Sequence, residues 1–351
     1  SNDVDFDLKA KGDINISGAL YGITALSSIF LSGDDIGNTN IDIAADSIKI
    51  NANSEKNVSY SGTGIMLAVG RDKGRNAEFN ITATGNDGIN INAGGFGYYS
   101  EGAAASNIIA EKGSINVNSE LQGLRIWLNP LYEDKKSFTS IKAKNDININ
   151  SKYEGIEYVV NAGLLELKSE EGGIKIISGR DALRHSYIMD MDLIGAPGQS
   201  VLAGEAAGKI ETAVSADKNV FISGKNSGVK YEGVNTGSAD IVSQSENVYI
   251  LGEDNGIYAN SQAEEEITGY KKAGNLAKHN INVKSNNGSV YVGYFAGDSN
   301  NNGNGIFNSG RNDISLEAKD LVVVQGGNTA LNVKKETNTI VKGKDVVINS
   351  Y

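Results

Sequence analysis

The stretch Asp146-Ile147-Asn148-Ile149-Asn150 carries the phrase that decides the fold. A turn residue opens it, two apolar residues alternate with polar ones, and Asn closes it. The phrase returns as Asp13-Ile14-Asn15-Ile16-Ser17, Ser47-Ile48-Lys49-Ile50-Asn51, Gly88-Ile89-Asn90-Ile91-Asn92 and Ser114-Ile115-Asn116-Val117-Asn118. Later copies are Gly173-Ile174-Lys175-Ile176, Asn219-Val220-Phe221-Ile222, Asn247-Val248-Tyr249-Ile250, Ser289-Val290-Tyr291-Val292 and Asp345-Val346-Val347-Ile348, with Leu321-Val322-Val323 as a weaker one. That makes about eleven copies at a repeat of roughly 25 to 46 residues.

Two further phrases keep step with the first. Gly followed by an apolar residue comes nine positions after the dyad begins, as in Gly22-Ile23, Gly123-Leu124, Gly155-Ile156, Gly228-Val229 and Gly256-Ile257. Gly64-Ile65 and Gly305-Ile306 sit further on. A third phrase precedes the dyad, at Leu8, Ile43, Ile81, Ile109, Ile141, Leu167, Val214, Ile241, Val283, Leu316 and Ile340.

Alternation over three to five residues makes strands with one buried face. Three short strands per repeat make one coil, and coils stacked at roughly 4.8 Å pair in parallel. The fold expected is all-β: a right-handed, three-faced parallel β-helix of about eleven coils with loop insertions, filling residues 1–351 as one domain. Its length is on the order of 50 Å. The shortest repeat is too short for a βαβ unit, and a period of two excludes helical repeats. No Leu–Asn frame of a leucine-rich repeat is present; a β-propeller stays open on repeat length, though it would need antiparallel hairpins and more even spacing.

Composition agrees. The 351 residues contain 43 Gly but only 2 Pro, and Asn is nearly as frequent as Gly. Gly and Asn suit tight or left-handed corners. Proline is scarce because a strand paired on both sides needs its amide N–H. No Cys is present, which removes disulfides, thiol nucleophiles and Cys-ligated metals. A net charge of −11 without a sustained basic block argues against nucleic acid. No apolar run approaches a membrane-spanning helix, so no membrane insertion by this segment is expected.

The Ile–x–Ile refrain, the Asn-rich turns, the acidic balance and the missing Cys resemble the passenger region of bacterial type V-secreted proteins, the autotransporters and filamentous-haemagglutinin-like adhesins. The resemblance runs from Leu8 to Ile348. It implies a right-handed β-helix, export across the outer membrane of a Gram-negative bacterium, and a place at the cell surface. Missing Cys also suits export of an unfolded chain through a pore. Ser1-Asn2 and the ordinary coils at both ends suggest an excised fragment of a larger secreted protein.

Function is expected in the insertions. Those between Ile23 and Ile43, Leu183 and Val214, and Ile257 and Val283 fall at one junction of the coil, so they should project from one edge. A second junction is enlarged between Ile48 and Ile65 and between Val290 and Ile306. The longest insertion offers Tyr187, Met189, Asp190 and Asp192, and a later one Tyr270 and Lys271; these are the candidate partner-binding residues. The bland reading of Ile188, Met189 and Met191 is an extra packing layer, and of Glu264-Glu265-Glu266 a solvated loop.

No catalytic, cofactor or metal residue is assigned. Asp190 and Asp192 share a side when extended, but no acidic cluster repeats in register beside them and no Arg accompanies them. An enzyme would instead bring carboxylates and basic residues of adjacent coils into one cleft. His185 and His279 lie some three repeats apart and are read as solvent-facing. Residues 298–305 are oxygen-rich but lack the frame of a calcium loop. The outward Asn15, Asn90, Asn116 and Asn148 are read as stacking columns.

The reading expected is thus a non-enzymatic adhesin, without cofactors, holding a host-cell or bacterial surface protein or glycan. Alternatives are a polysaccharide lyase or hydrolase, and a self-associating scaffold for aggregation or biofilm.

Overall fold

The computed structural model describes residues 4–26, 39–52, 62–68, 77–101, 104–127, 137–159, 163–186, 204–232, 235–261, 278–293, 303–334 and 336–350. Every pairing among their strands is parallel, and the strands form a parallel β-helix. Two faces of the tube belong to a 20-stranded sheet and the third face to a 10-stranded sheet. Each coil runs through the first face, the second face with its dyad, and then the third face. Coil 5 shows the plan with strands Ser137–Ala143, Ile147–Ser151 and Ile156–Val159.

The dyads stack without a gap. Ile14, Ile48, Ile89, Ile115, Ile147, Ile174, Val220, Val248, Val290, Val322 and Val346 form one continuous column over eleven coils. From Ile48 to Val322 this column is fully buried. The first-face column runs Leu8, Ile43, Ile81, Ile108, Ile141, Leu167, Val214, Ile241, Val283, Leu316 and Val341. Stacked β-branched residues suit this geometry, since each packs on its like in the next coil.

Three registers differ by one residue from the sequence reading. Ile108 and not Ile109, Val341 and not Ile340, and the pair Val322 and Val324 in place of Leu321 and Val323 point inward. Each slip falls where apolar residues run consecutively. Alternation then carries no phase, and only the pairing with the neighbouring coil sets it.

Glycine needs a second correction. Among the described residues a positive φ occurs only at Gly62, Gly88, Gly163, Gly293, Gly310 and Glu336. The Gly that opens most third-face strands is there for close approach instead, and only coils 6 and 10 carry Ala there, as Ala182 and Ala330. A Cβ on Gly123 would collide with Ile149 Cγ2 and with the Gly155 carbonyl, both in the next coil. Gly22, Gly64, Gly97 and Gly155 meet the same two obstacles, an aliphatic side chain and a backbone carbonyl. Gly123→Ala should therefore lower stability by about 1–3 kcal/mol or more through overpacking. An unchanged urea midpoint for this variant would refute the close-approach assignment.

The insertion edge falls where the sequence placed it. Third-face strands end at Leu26, Ser186 and Asn260, and the next first-face strands start at Thr39, Gly204 and His279. The described strands on either side of 27–38, 187–203 and 262–277 thus all flank the corner between the third and first faces. The strands flanking 53–61 and 294–302 belong to the second and third faces, at the second enlarged junction.

The outward Asn residues hydrogen-bond between coils. Asn148 Nδ2 donates to Asn116 Oδ1 and Asn116 Nδ2 to Asn90 Oδ1, each at 2.9 Å. A second ladder runs from Asn150 to Asn118, Asn92 and Asn51, each bond at 3.1 Å. These amides spend their polar groups on one another.

Candidate functional site

Tyr187, Met189, Asp190, Asp192, Tyr270 and Lys271 all lie outside the described residues. The described part of the tube holds two other polar concentrations, one inside it and one on its third face.

The interior one corrects the reading of the histidines. His185 on coil 6 and His279 on coil 9 are both buried. Their ring centroids lie 6.2 Å apart, with the Tyr231 ring 4.9 Å from His185 and 5.7 Å from His279. His185 stacks in register between Tyr158 and Tyr231 on the inner side of the third face. His279 enters from the first face, above Gly237. That glycine leaves the space beside the Tyr231 and His185 rings open. The separation of three repeats stands; what the sequence does not show is that both rings point into the tube, where they meet each other and Tyr231 across the intervening coils.

The tyrosines of this seam find partners. The Tyr98 and Ser106 hydroxyls lie 2.6 Å apart, and the Tyr158 hydroxyl donates to the Ser137 carbonyl at 3.3 Å. Burial raises the pKa of Tyr98, Tyr158 and Tyr231. Neither ring nitrogen of His185 has a hydrogen-bond partner. Burial first, and then the neighbouring His279, lower its pKa to about 3. Neutral imidazole is therefore the resident form.

The second concentration lies on the outer side of the third face. Its outward column runs Tyr99, Arg125, Glu157, Arg184, Lys230, Tyr258 and Phe307, one residue per coil from coil 3 to coil 9. The only Trp of the chain, Trp127, points outward beside Arg125 and is half-buried. Glu154 and Asp181 join from the corner between the second and third faces, and both are buried.

Ion pairs tie these groups together. Glu157 meets Arg125 at 3.3 Å and Arg184 at 3.5 Å. Glu154 meets Arg180 at 3.3 Å and Arg184 at 3.5 Å. Gln122 Nε2 donates to both carboxylates, at 2.8 and 3.0 Å. Desolvation raises the Asp181 pKa against the opposing pull of Lys230 and Arg184. Arg125 lies over the Phe96 ring at 5.8 Å, and Lys230 over Tyr258 at 5.4 Å. Tyr258 and Phe307 stack at 4.9 Å.

The surroundings of Asp190 and Asp192, for which no repeated acidic cluster and no Arg partner are expected, lie outside the described residues. Elsewhere, carboxylates and cations of coils 4 to 7 do converge. The signal was present in the sequence. The column is the residue after each Gly–apolar or Ala–apolar pair, as in Gly123-Leu124-Arg125, Gly155-Ile156-Glu157 and Ala182-Leu183-Arg184. Residue type changes along the column while position does not, so a search for repeated residues passes over it.

Among the described residues no group of three or more His, Cys, Asp or Glu is arranged to hold a metal ion. No family model matches the chain, and comparison with curated proteins and with solved structures returns no match.

Proposed function

We propose that this chain is a non-enzymatic, secreted surface adhesin of a Gram-negative bacterium, of the type V passenger kind its sequence resembles. The tube acts as a rigid stalk, and the segments at the third-to-first corner meet a host-cell or bacterial surface partner. One observation supports this reading: the inward columns run in step through eleven coils, while the longest stretches between described strands all fall at coil corners. Selection for a rod with variable attachments leaves that pattern, because loop length changes cost little when the coil closes beneath them.

The test replaces 187–203 with a short Gly-Ser bridge, leaving the strands Leu183–Ser186 and Gly204–Ala216 intact. Binding of the protein to epithelial cells, and aggregation of bacteria displaying it, should fall at least severalfold with the circular dichroism spectrum unchanged. Undiminished binding and aggregation would count against this segment as the contact.

A second reading has one observation in its favour. Carboxylates and arginines of adjacent coils meet on the third face, and Asp181 has a raised pKa, as a general acid of a polysaccharide-cleaving enzyme requires. Against it, Glu154 and Glu157 are buried and engaged by guanidinium groups. New reducing ends released from uronate or neutral polysaccharides, and lost in Asp181→Asn, would favour the enzyme.

A further inference from the structure

We infer that the outer third face, from Arg125 and Trp127 on coil 4 to Phe307 on coil 9, is a binding strip for one extended acidic polysaccharide chain. The inference deepens the adhesin reading and rests on it only for where the ligand is met.

Depth decides the charge of the strip. The Glu154 and Glu157 side chains are 4% and 7% exposed, while Arg180, Arg125, Lys230 and Arg184 are 49%, 30%, 23% and 16% exposed. Around Glu154 and Glu157 the carboxylates thus lie beneath and the guanidinium groups above; at Lys230 the order reverses, because its partner Glu232 at 3.1 Å is 41% exposed. Glu157 and Glu154 hold Arg125 and Arg184 in place, which lowers the ordering cost of binding. A chain of net charge −11 here presents N–H donors to solvent. Planar guanidinium groups, here Arg125 and Arg184 two coils apart with Glu157 between them, suit carboxylate or sulfate groups.

Geometry decides that the ligand is long. One side chain per coil at roughly 4.8 Å spaces the strip over about 24 Å. That spacing is close to the rise per sugar of an extended pyranose chain. Aromatic groups flank the cations, with Trp127 at one end and the Tyr258–Phe307 stack at the other. Such rings receive the apolar C–H faces of sugars while the cations take the acidic groups. A protein partner would be met by a broader apolar centre; here the column is one residue wide.

The single Trp supplies the readout. The intact chain is titrated with hexagalacturonate, a heparin hexasaccharide and cellohexaose, following Trp fluorescence and heat of binding. Hexagalacturonate, the heparin hexasaccharide or both should bind roughly tenfold or more tightly than cellohexaose, and rising NaCl should weaken them. Arg180→Gln with Lys230→Gln should weaken acidic binding roughly tenfold, and neither residue leaves a buried carboxylate without a cation. Circular dichroism checks that this variant is folded. Trp127→Phe should abolish the fluorescence change while heat is still released.

Equal affinity for cellohexaose, no binding of any probe, or an unaffected double variant would each overturn the strip. Cell binding that survives the double variant while hexagalacturonate binding is lost leaves the adhesin reading standing and removes the strip from it. The converse, glycan binding without cell binding, keeps the strip and sinks the adhesin reading.

Discussion

Acidification from pH 7 to pH 4.5 should cost this fold about 2–3 kcal/mol through His185 alone, and roughly 4 kcal/mol by pH 3. The imidazole titrates near 6.5 in the unfolded chain and at about 3 in the folded one. Between those values the unfolded state binds a proton that the folded state refuses. Stability from this group is therefore complete above pH 6.5 and declines steadily as pH falls toward 3. The groups facing His185 give no relief: Tyr231 and Tyr158 are neutral donors, and His279 opposes a second positive charge. Since domains hold only about 5–15 kcal/mol, the loss is large. Urea midpoints at pH 7 and 4.5, for the native chain and His185→Leu, check it. The variant should lose less on acidification, whatever its stability at pH 7. Equal acid losses in the two proteins would refute a neutral buried imidazole.

Arg184→Ala should be the second severe change, at about 3–5 kcal/mol. Arg184 lies 3.5 Å from both Glu154 and Glu157, and Gln122 bonds to the same two carboxylates. Without the guanidinium, two buried anions share one neutral donor, and each keeps a single flanking arginine. Adding Glu157→Gln should recover a good part of the loss, because the repulsion then disappears. Repeat arrays need not unfold in one step, so amide exchange in Ile156–Val159 and Leu183–Ser186 is the direct readout. A loss below about 1 kcal/mol would place the cluster with ordinary surface pairs.

The two predictions concern residues that the chain's repeat made hard to see, and for different reasons. Ile147 and Ile149 announce their burial because alternation encodes which side is inside, and the coil spacing followed from their recurrence. Phase was lost only where Ile108-Ile109, Leu321–Val324 and Ile340-Val341 carry no alternation. His185 and His279 could not be joined from sequence, since their proximity depends on three coils stacking and on Gly237 keeping a space empty. Arg125, Glu157 and Arg184 were legible in position but not in type. The candidate contacts Tyr187, Met189, Asp190, Asp192, Tyr270 and Lys271 sit in insertions, where no periodicity constrains the backbone.

The parallel register also sets how the rod answers a pull. Strands lie across the long axis, so the hydrogen bonds between coils lie along it. Tension along the tube loads all the coil interfaces in series, so the weakest of them yields first. The chain should then yield by peeling one coil at a time. Each released coil of the lean middle, such as Ile147 to Ile174, pays out roughly 90 Å of extended chain. The same stacking that makes the tube stiff in bending makes it an extensible tether under axial load, able to absorb work repeatedly before the last coil lets go.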